Sequence, residues 1–320
     1  MPTDATNRPP LNGLPTHLTV LQRGWLSSNN TLLHGRPGEA AVLIDSGHTV
    51  HAAQTEALVR HALADAGGPQ ATLGRIVNTH LHSDHCGGNA RLRRAFGATV
   101  WVPPGQAQAA LDWDEARLSH RPTGQICDRF PVDGVLHPGE VLHVGGCGWQ
   151  VLAAPGHDTH SVVLFEPAHG VLLSADALWE NGFGVVFPEL DGESGFEEVG
   201  EVLDLIGRLP VRWVVPGHGA PFEDVSGALQ RARARLASLR ADPSRHARHA
   251  GKVLIKYHLM ELGSQGLAAL RAWGRETPLV SATQRSAGVA GPVEDWFETL
   301  LADLLGSGAL RLADEIVHDA

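Results

Sequence analysis

Between about residues 17 and 219 the apolar positions fall in short runs bounded by Gly, Pro and Asp: "HLTVLQ", "AAVLIDSG", "GRIVNTH", "ATVWVPP", "GWQVLAAPG", "SVVLFEP", "GVLLSADA" and "RWVVPGHG". Runs of this length and content predict strands. Two longer stretches carry apolar residues at helical spacing: "VHAAQTEALVRHALADAG", which ends on a Gly stop signal, and "GFEEVGEVLDLIGRLP", which stops at Pro210. Strands and helices alternating in this way predict a layered α/β or α+β domain.

After Gly219 the pattern turns helical. "VSGALQRARARLASLRADP" and "RHARHAGKVLIKYHLMELG" read as two helices split near Pro243, and "QGLAALRAWGRE" and "PVEDWFETLLADLLGSG" as two more. The tail "ALRLADEIVHD" reads as one short strand. This change places a boundary near residue 224, with residues 1–224 as the layered domain and 225–320 as a small, mainly helical unit with a winged-helix-like end. Neither part shows a solenoid-period repeat or a low-complexity tract.

Composition narrows the function classes. An apolar fraction of 43% over 320 residues is enough for a real core, and 19% charged is ordinary. A net charge of −10 and a pI near 6.0 weigh against nucleic acid as the main partner. The three cysteines, Cys86, Cys127 and Cys147, are too sparse for a disulfide framework and point to a reducing compartment. "MPTDATNRPPLNGLPTHL" shows no apolar leader core, and no run approaches the roughly 18 apolar residues that span a bilayer. The expectation is a soluble cytoplasmic protein.

The segment "NTHLHSDHCGG" adds chemistry. His80, His82, Asp84 and His85 are costly to bury unless something pairs with them. On an extended strand His80 and His82 share a face and point at one centre. Asp84 and His85, past the turn, reach a second. Gly87 and Gly88 permit a tight turn there, and Asn89 is a candidate N-cap for "ARLRRAFG". Imidazoles with a carboxylate suit zinc better than calcium or magnesium. Further ligands stand downstream where apolar runs break off: His157 in "VLAAPGHDTH", Asp176 in "GVLLSADALW" and His218 in "WVVPGHGAP". Each alone has an ordinary structural reading; their joint occurrence at strand ends does not.

This constellation resembles the metallo-β-lactamase superfamily over about residues 17 to 219, and the resemblance implies an αββα sandwich with its metal site at the sheet edges. It implies that His80, His82 and His157 hold one metal, that Asp84, His85 and His218 hold a second, and that Asp176 bridges them. Asp45, in the family's early strand, would support a ligand from behind. Two zinc ions are implied, with iron or manganese as alternatives. Such a site would support hydrolysis by a hydroxide shared between the metals, with Asp84 orienting that nucleophile and collecting its proton.

Substrate is harder to read. Asp176 and the lack of a leader argue against antibiotic hydrolysis. The layout is most similar to hydroxyacylglutathione hydrolases, which carry the same ligands and a helical C-terminal domain. Yet "ALWENGFGVVFPEL" lacks the Cys-Gly-Arg element of that group, and Tyr257 is the sole tyrosine, which weakens glutathione and homoserine lactones alike as specific substrates. The first reading is therefore hydrolysis of a small ester or thioester under a capping helical unit. The second is a metal-dependent phosphodiesterase or endoribonuclease, and behind it stand a lactonase or a slow-turnover metal-bound signalling protein.

Trp179, Phe183 and Phe187 are candidate walls of an acyl pocket, against the plainer reading of core. Lys252, Lys256 and Tyr257 are candidate substrate contacts from the second C-terminal helix. They belong to a stretch, residues 225–260, in which Arg231, Arg233, Arg235, Arg240, Arg245, Arg248, Lys252 and Lys256 face one acid, Asp242. That stretch reads either as an anion site or as a solvated helix face. His160 reads as structural, and Cys86 has no catalytic role.

Overall fold

The computed structural model describes residues 13–320, so the reading of residues 1–12 as leaderless lies outside the described residues. Six strands form the first sheet in chain order: β1 (Leu18–Leu21), β2 (Asn30–Leu33), β3 (Ala41–Ile44), β4 (Leu73–Val77), β5 (Thr99–Val102) and β6 (Gly134–Val135). The second sheet holds β7 (Val141–Val144), β8 (Cys147–Ala153), β9 (Val162–Glu166), β10 (Val171–Ala175) and β11 (Trp213–Pro216), with only β10 and β11 parallel. Strands β9 and β10 are buried at every position, because a layer covers each face. That is why they read as unbroken apolar runs.

Inner faces of the two sheets meet in one core, including Val42, Ile44 and Val77 opposite Trp149, Leu164 and Val215. The outer face of the first sheet packs under the helices Ala52–Gly67 and Asn89–Phe96 through Val59, Leu63 and Leu92. On the other side, helix Phe196–Arg208 buries Phe196, Val199, Val202, Leu203 and Ile206, the helical spacing that its sequence shows. The result is the four-layer αββα arrangement.

Helix Val225–Ala241 belongs to that second outer layer, since Leu229, Ala232, Leu236 and Leu239 share the core of the second sheet. A separate core begins with helix Pro243–Leu262 and includes Leu254, Ile255, Leu270, Val280, Phe297 and Leu300. We therefore propose dividing the chain at the Asp242–Pro243 junction rather than near 224.

In the C-terminal part the structure holds more than the sequence pattern shows. Pro278–Ser286, "PLVSATQRS", is an additional helix, and β12 (Ser264–Gly266) is an additional strand. The expected single tail strand is a hairpin of β13 (Leu310–Ala313) and β14 (Ile316–Asp319), with β12 on the far side of β14. Its turn residues Asp314 and Glu315 both take positive φ, a conformation that Asn or Gly would have announced. No helix of the described residues is long and apolar enough to cross a membrane.

Candidate metal centre

Strand β4 stops at Val77, five residues before His82 caps the short helix Ser83–Cys86. His80 and His82 are thus loop residues, not neighbours on a strand face as the spacing predicts. Their loop is held by buried polar groups: Asn78 Nδ2 donates to the His85 carbonyl at 3.0 Å, and Asn89 Nδ2 donates to Asn78 Oδ1 at 2.6 Å. Asn89 is therefore inside the next helix, whose N-cap is Gly88, and its side chain is a tether rather than a cap. Gly87 and Gly88 have ordinary right-handed helical backbones. They are needed for room, because a Cβ on either would strike backbone atoms of Thr49 and Ser83 or of Ser46.

The predicted ligands come together in two buried groups. In the first, His82 Nδ1 lies 3.1 Å from His80 Nε2 and 2.8 Å from His157 Nε2. His157 Nδ1 must donate to the Val185 carbonyl, 2.6 Å away, so its Nε2 carries a lone pair into the cluster. Buried imidazole nitrogens facing one another at this range oppose their lone pairs unless a cation or proton lies between them.

The second group is Asp84, His85, Asp176 and His218, with ligand atoms within 4.8 Å of one another. His218 Nε2 is 3.0 Å from Asp84 Oδ2. His85 Nε2 is buried without a hydrogen-bond partner, yet stands 3.6 Å from Asp84 Oδ2 and 3.5 Å from Asp176 Oδ2. That same Asp176 oxygen is 3.3 Å from His157 Nε2, so one carboxylate touches both groups. Trp179 Nε1 donates to its other oxygen, and a Cβ on Gly217 would collide with it. An orphaned nitrogen among carboxylates, beside a nitrogen-only cluster, is a donor set that fits two divalent cations.

Support for these side chains comes from the ends of strands. Asp45, just past β3, accepts from Thr79 N and Thr79 Oγ1, each at 2.8 Å, and from His85 Nδ1 at 2.8 Å. It does so with a φ of 58°, and Ala175, which precedes Asp176, has a φ of 45°. Left-handed backbone at residues with a Cβ is strain of the kind found at functional sites. Asp158, which the sequence reading passed over, lies 3.9 Å behind His82 Nε2. His160 is outside both groups and donates its backbone N–H to Asp158 Oδ1.

Burial, reinforced by neighbouring imidazoles, holds His80 and His82 well below the usual histidine range. Burial opposes charge on His85 too, but the carboxylates of Asp84, Asp45 and Asp176 push it well above that range. For Asp84, burial would raise the carboxyl, yet His85 and His218 hold it at about 2. Asp176 is likewise held well below the carboxylate range, against burial, by His85, His218 and His157. Burial and charge therefore keep the Asp84 and Asp176 carboxylates ionised and the imidazoles of His80 and His82 neutral, the protonation that metal ligands need. Burial pushes the Cys86 thiol well above its ordinary value, which leaves it inert.

A pocket of about 400 Å³ opens onto both groups. Trp179, Phe187 and Tyr257 line it, as does Trp25, a residue no motif marks. Trp25 is 60% exposed and stacks on His218 with ring centroids 5.4 Å apart. Phe183 is not a wall but core, 1% exposed. Lys252 and Lys256 are not pocket residues either: they pair with Asp303 at 3.7 Å and Asp319 at 2.6 Å. Arg231, Arg233, Arg240 and Arg248 similarly pair with Asp224, Asp204, Glu197 and Asp303. The acids that neutralise this stretch lie mostly outside it in sequence, which is why it reads as an unbalanced basic run.

The chain is similar to known proteins in sequence and in fold. A hydroxyacylglutathione hydrolase of Hyphomonas neptunium is 29% identical over 194 residues, covering 60% of this chain and 62% of that relative, so the match spans less than two thirds of the relative's length. A metallo-beta-lactamase family protein of Thermus thermophilus superposes with a TM-score of 0.53 at 20% identity, covering 96% of this chain and 99% of the other. A structure solved in a di-iron-bound form superposes at 0.52 with 25% identity, covering 67% of this chain and 98% of its own. Residues 23–218 match the family described as the metallo-beta-lactamase superfamily. With that match covering most of the chain, and the αββα sandwich around it, the chain belongs to the metallo-beta-lactamase superfamily.

Proposed function

We propose that the chain is a dinuclear zinc-dependent hydrolase that cleaves a small ester or thioester. The observation that carries this reading is Asp176 Oδ2, within 3.5 Å of ligand nitrogens from both groups. Two divalent cations held there would acidify water and polarise a carbonyl. The nitrogen-rich donors favour zinc, while the similar chain in a di-iron-bound form keeps iron as the alternative.

The protein's own side chains supply the rest. Asp84 faces the pocket, where it would orient the incoming water and collect its proton. Trp25, Trp179, Phe187, Val253 and Leu254 give the acyl group an apolar bed. The helices Val225–Ala241 and Pro243–Leu262 form one wall, consistent with a capping role. With most of its surface cations paired to acids, the 225–260 stretch offers little to a phosphodiester chain, which favours a small substrate over RNA. We also propose a cytoplasmic setting, from the sparse cysteines.

The test is parallel assay of a thioester, a lactone and bis-p-nitrophenyl phosphate with metal-loaded protein. Thioester turnover that outpaces the phosphodiester supports the reading, and cleavage of the phosphodiester alone replaces it with the phosphodiesterase.

A further inference from the structure

One cation of the 225–260 stretch is turned inward. Arg235, half-buried on helix Val225–Ala241, lines the same pocket as Asp84, Asp176 and His218. Among the described residues it has no carboxylate and no hydrogen-bond partner. Its position is set by packing instead. The guanidinium lies 5.4 Å from the Phe183 ring centroid, and the side chain crosses the backbone of Gly182, where a Cβ would come within 3.0 Å of Arg235 Cδ.

A guanidinium held this way has its donors unspent. Removing such a group from water without a partner is unfavourable, and its planar fork matches carboxylate and phosphate oxygens. Nearby groups leave the position open for an outside anion. His249, the next pocket residue along the following helix, is kept neutral near pH 7, with a pKa of about 4 caused by burial and then by Arg235 and Lys252. Val253 and Leu254 continue the wall with apolar surface. The acid that lines the pocket outside the metal groups, Glu180, is exposed, and its backbone carbonyl is occupied by Arg231.

We propose that Arg235 is a specificity-determining residue that binds an anionic group, carboxylate or phosphate, on the ester or thioester substrate. The proposal rests on the hydrolase reading above and adds the substrate's charge to it. The substrate then has two recognised ends: an apolar portion against Trp25, Trp179 and Phe187, and an anion on the wall formed by the 225–241 helix.

The experiment uses metal-loaded full-length protein and three butyryl thioesters that differ only in the leaving group. These are 3-mercaptopropionate, its neutral methyl ester, and 2-mercaptoethyl phosphate. Wild-type protein is expected to prefer an anionic member over the neutral one in kcat/KM, and the better of the two anions identifies the group recognised. In Arg235→Gln that preference should fall by about tenfold or more, chiefly through KM, as expected for loss of a charge-assisted hydrogen bond. Arg235→Lys, which keeps the charge and loses the fork, should fall between the two. A wild-type enzyme indifferent to charge, or a preference that survives in Arg235→Gln, overturns the proposal.

Failure of the hydrolase reading looks different, because then none of the three is cleaved by the metal-loaded protein. Arg235 is decided in that case by titrating N-butyryl-β-alanine, which has no thioester, against tryptophan fluorescence from Trp25 and Trp179. Binding weakened about tenfold or more in Arg235→Gln supports the anion site. Equal binding in both proteins overturns it.

Discussion

His85 Nδ1 and Asp45 Oδ2 stand 2.8 Å apart, and this pair fixes how His85 presents its other nitrogen. The carboxylate accepts a hydrogen bond from Nδ1–H, which turns Nε2 toward Asp84 and Asp176. Asp45→Asn tests the relationship cleanly, because asparagine tolerates the left-handed backbone at this position. Cation affinity of the second group should fall about 10- to 100-fold, measured by competition with a chromophoric chelator. Unchanged affinity would mean that Asp45 serves the fold alone.

Trp25 should matter to binding far more than to stability. Its ring is largely exposed, stacked on His218 and set edge-on to Trp179 at 5.5 Å. Trp25→Ala should raise KM for an apolar thioester several-fold while urea unfolding shifts by no more than about 1 kcal/mol. A large stability loss with normal KM would place Trp25 in the core instead.

Acid sensitivity should include a contribution from His246, which is not a candidate ligand but bonds the N–H side of the Val185–Val186 peptide whose carbonyl holds His157. Its Nε2 accepts the Val186 N–H at 3.0 Å, and burial, then His249 and Arg235, lowers its pKa to about 4 from 6.5. The folded state therefore binds fewer protons at this site than the unfolded chain. Its contribution is complete above about pH 6.5 and is lost as pH falls toward 4, by roughly 2–3 kcal/mol at pH 4.5. His246→Gln keeps an acceptor but does not titrate. Urea unfolding of metal-free protein at pH 7.5 and 4.5 should show a smaller acid loss in the variant; equal losses would remove His246 from the account.

The ligands were legible because each follows an apolar run whose end the chain pattern marks, and the αββα layers follow from the same runs. The path between ligands was not legible. Period-2 spacing placed His80 and His82 on a strand, whereas Asn78 and Asn89 tie them into a loop. Pocket membership was also hidden. Whether Phe183 faces the core and Phe187 the pocket depends on how the chain folds back after Asp176, and Arg235 differs from Arg233 only by which side of one helix it occupies. The partners that neutralise Arg248, Lys252 and Lys256 are Asp303 and Asp319, more than fifty residues away in sequence. No local pattern carries that information.

The central claim is that two cations share one site through Asp176. Elemental analysis of the purified, unchelated protein beside its Asp176→Ala variant tests it most directly. The account predicts about two metal ions per wild-type chain and a loss of at least one of them, together with hydrolysis, in the variant. One metal or none in the wild type, or full occupancy that survives in Asp176→Ala, would contradict it.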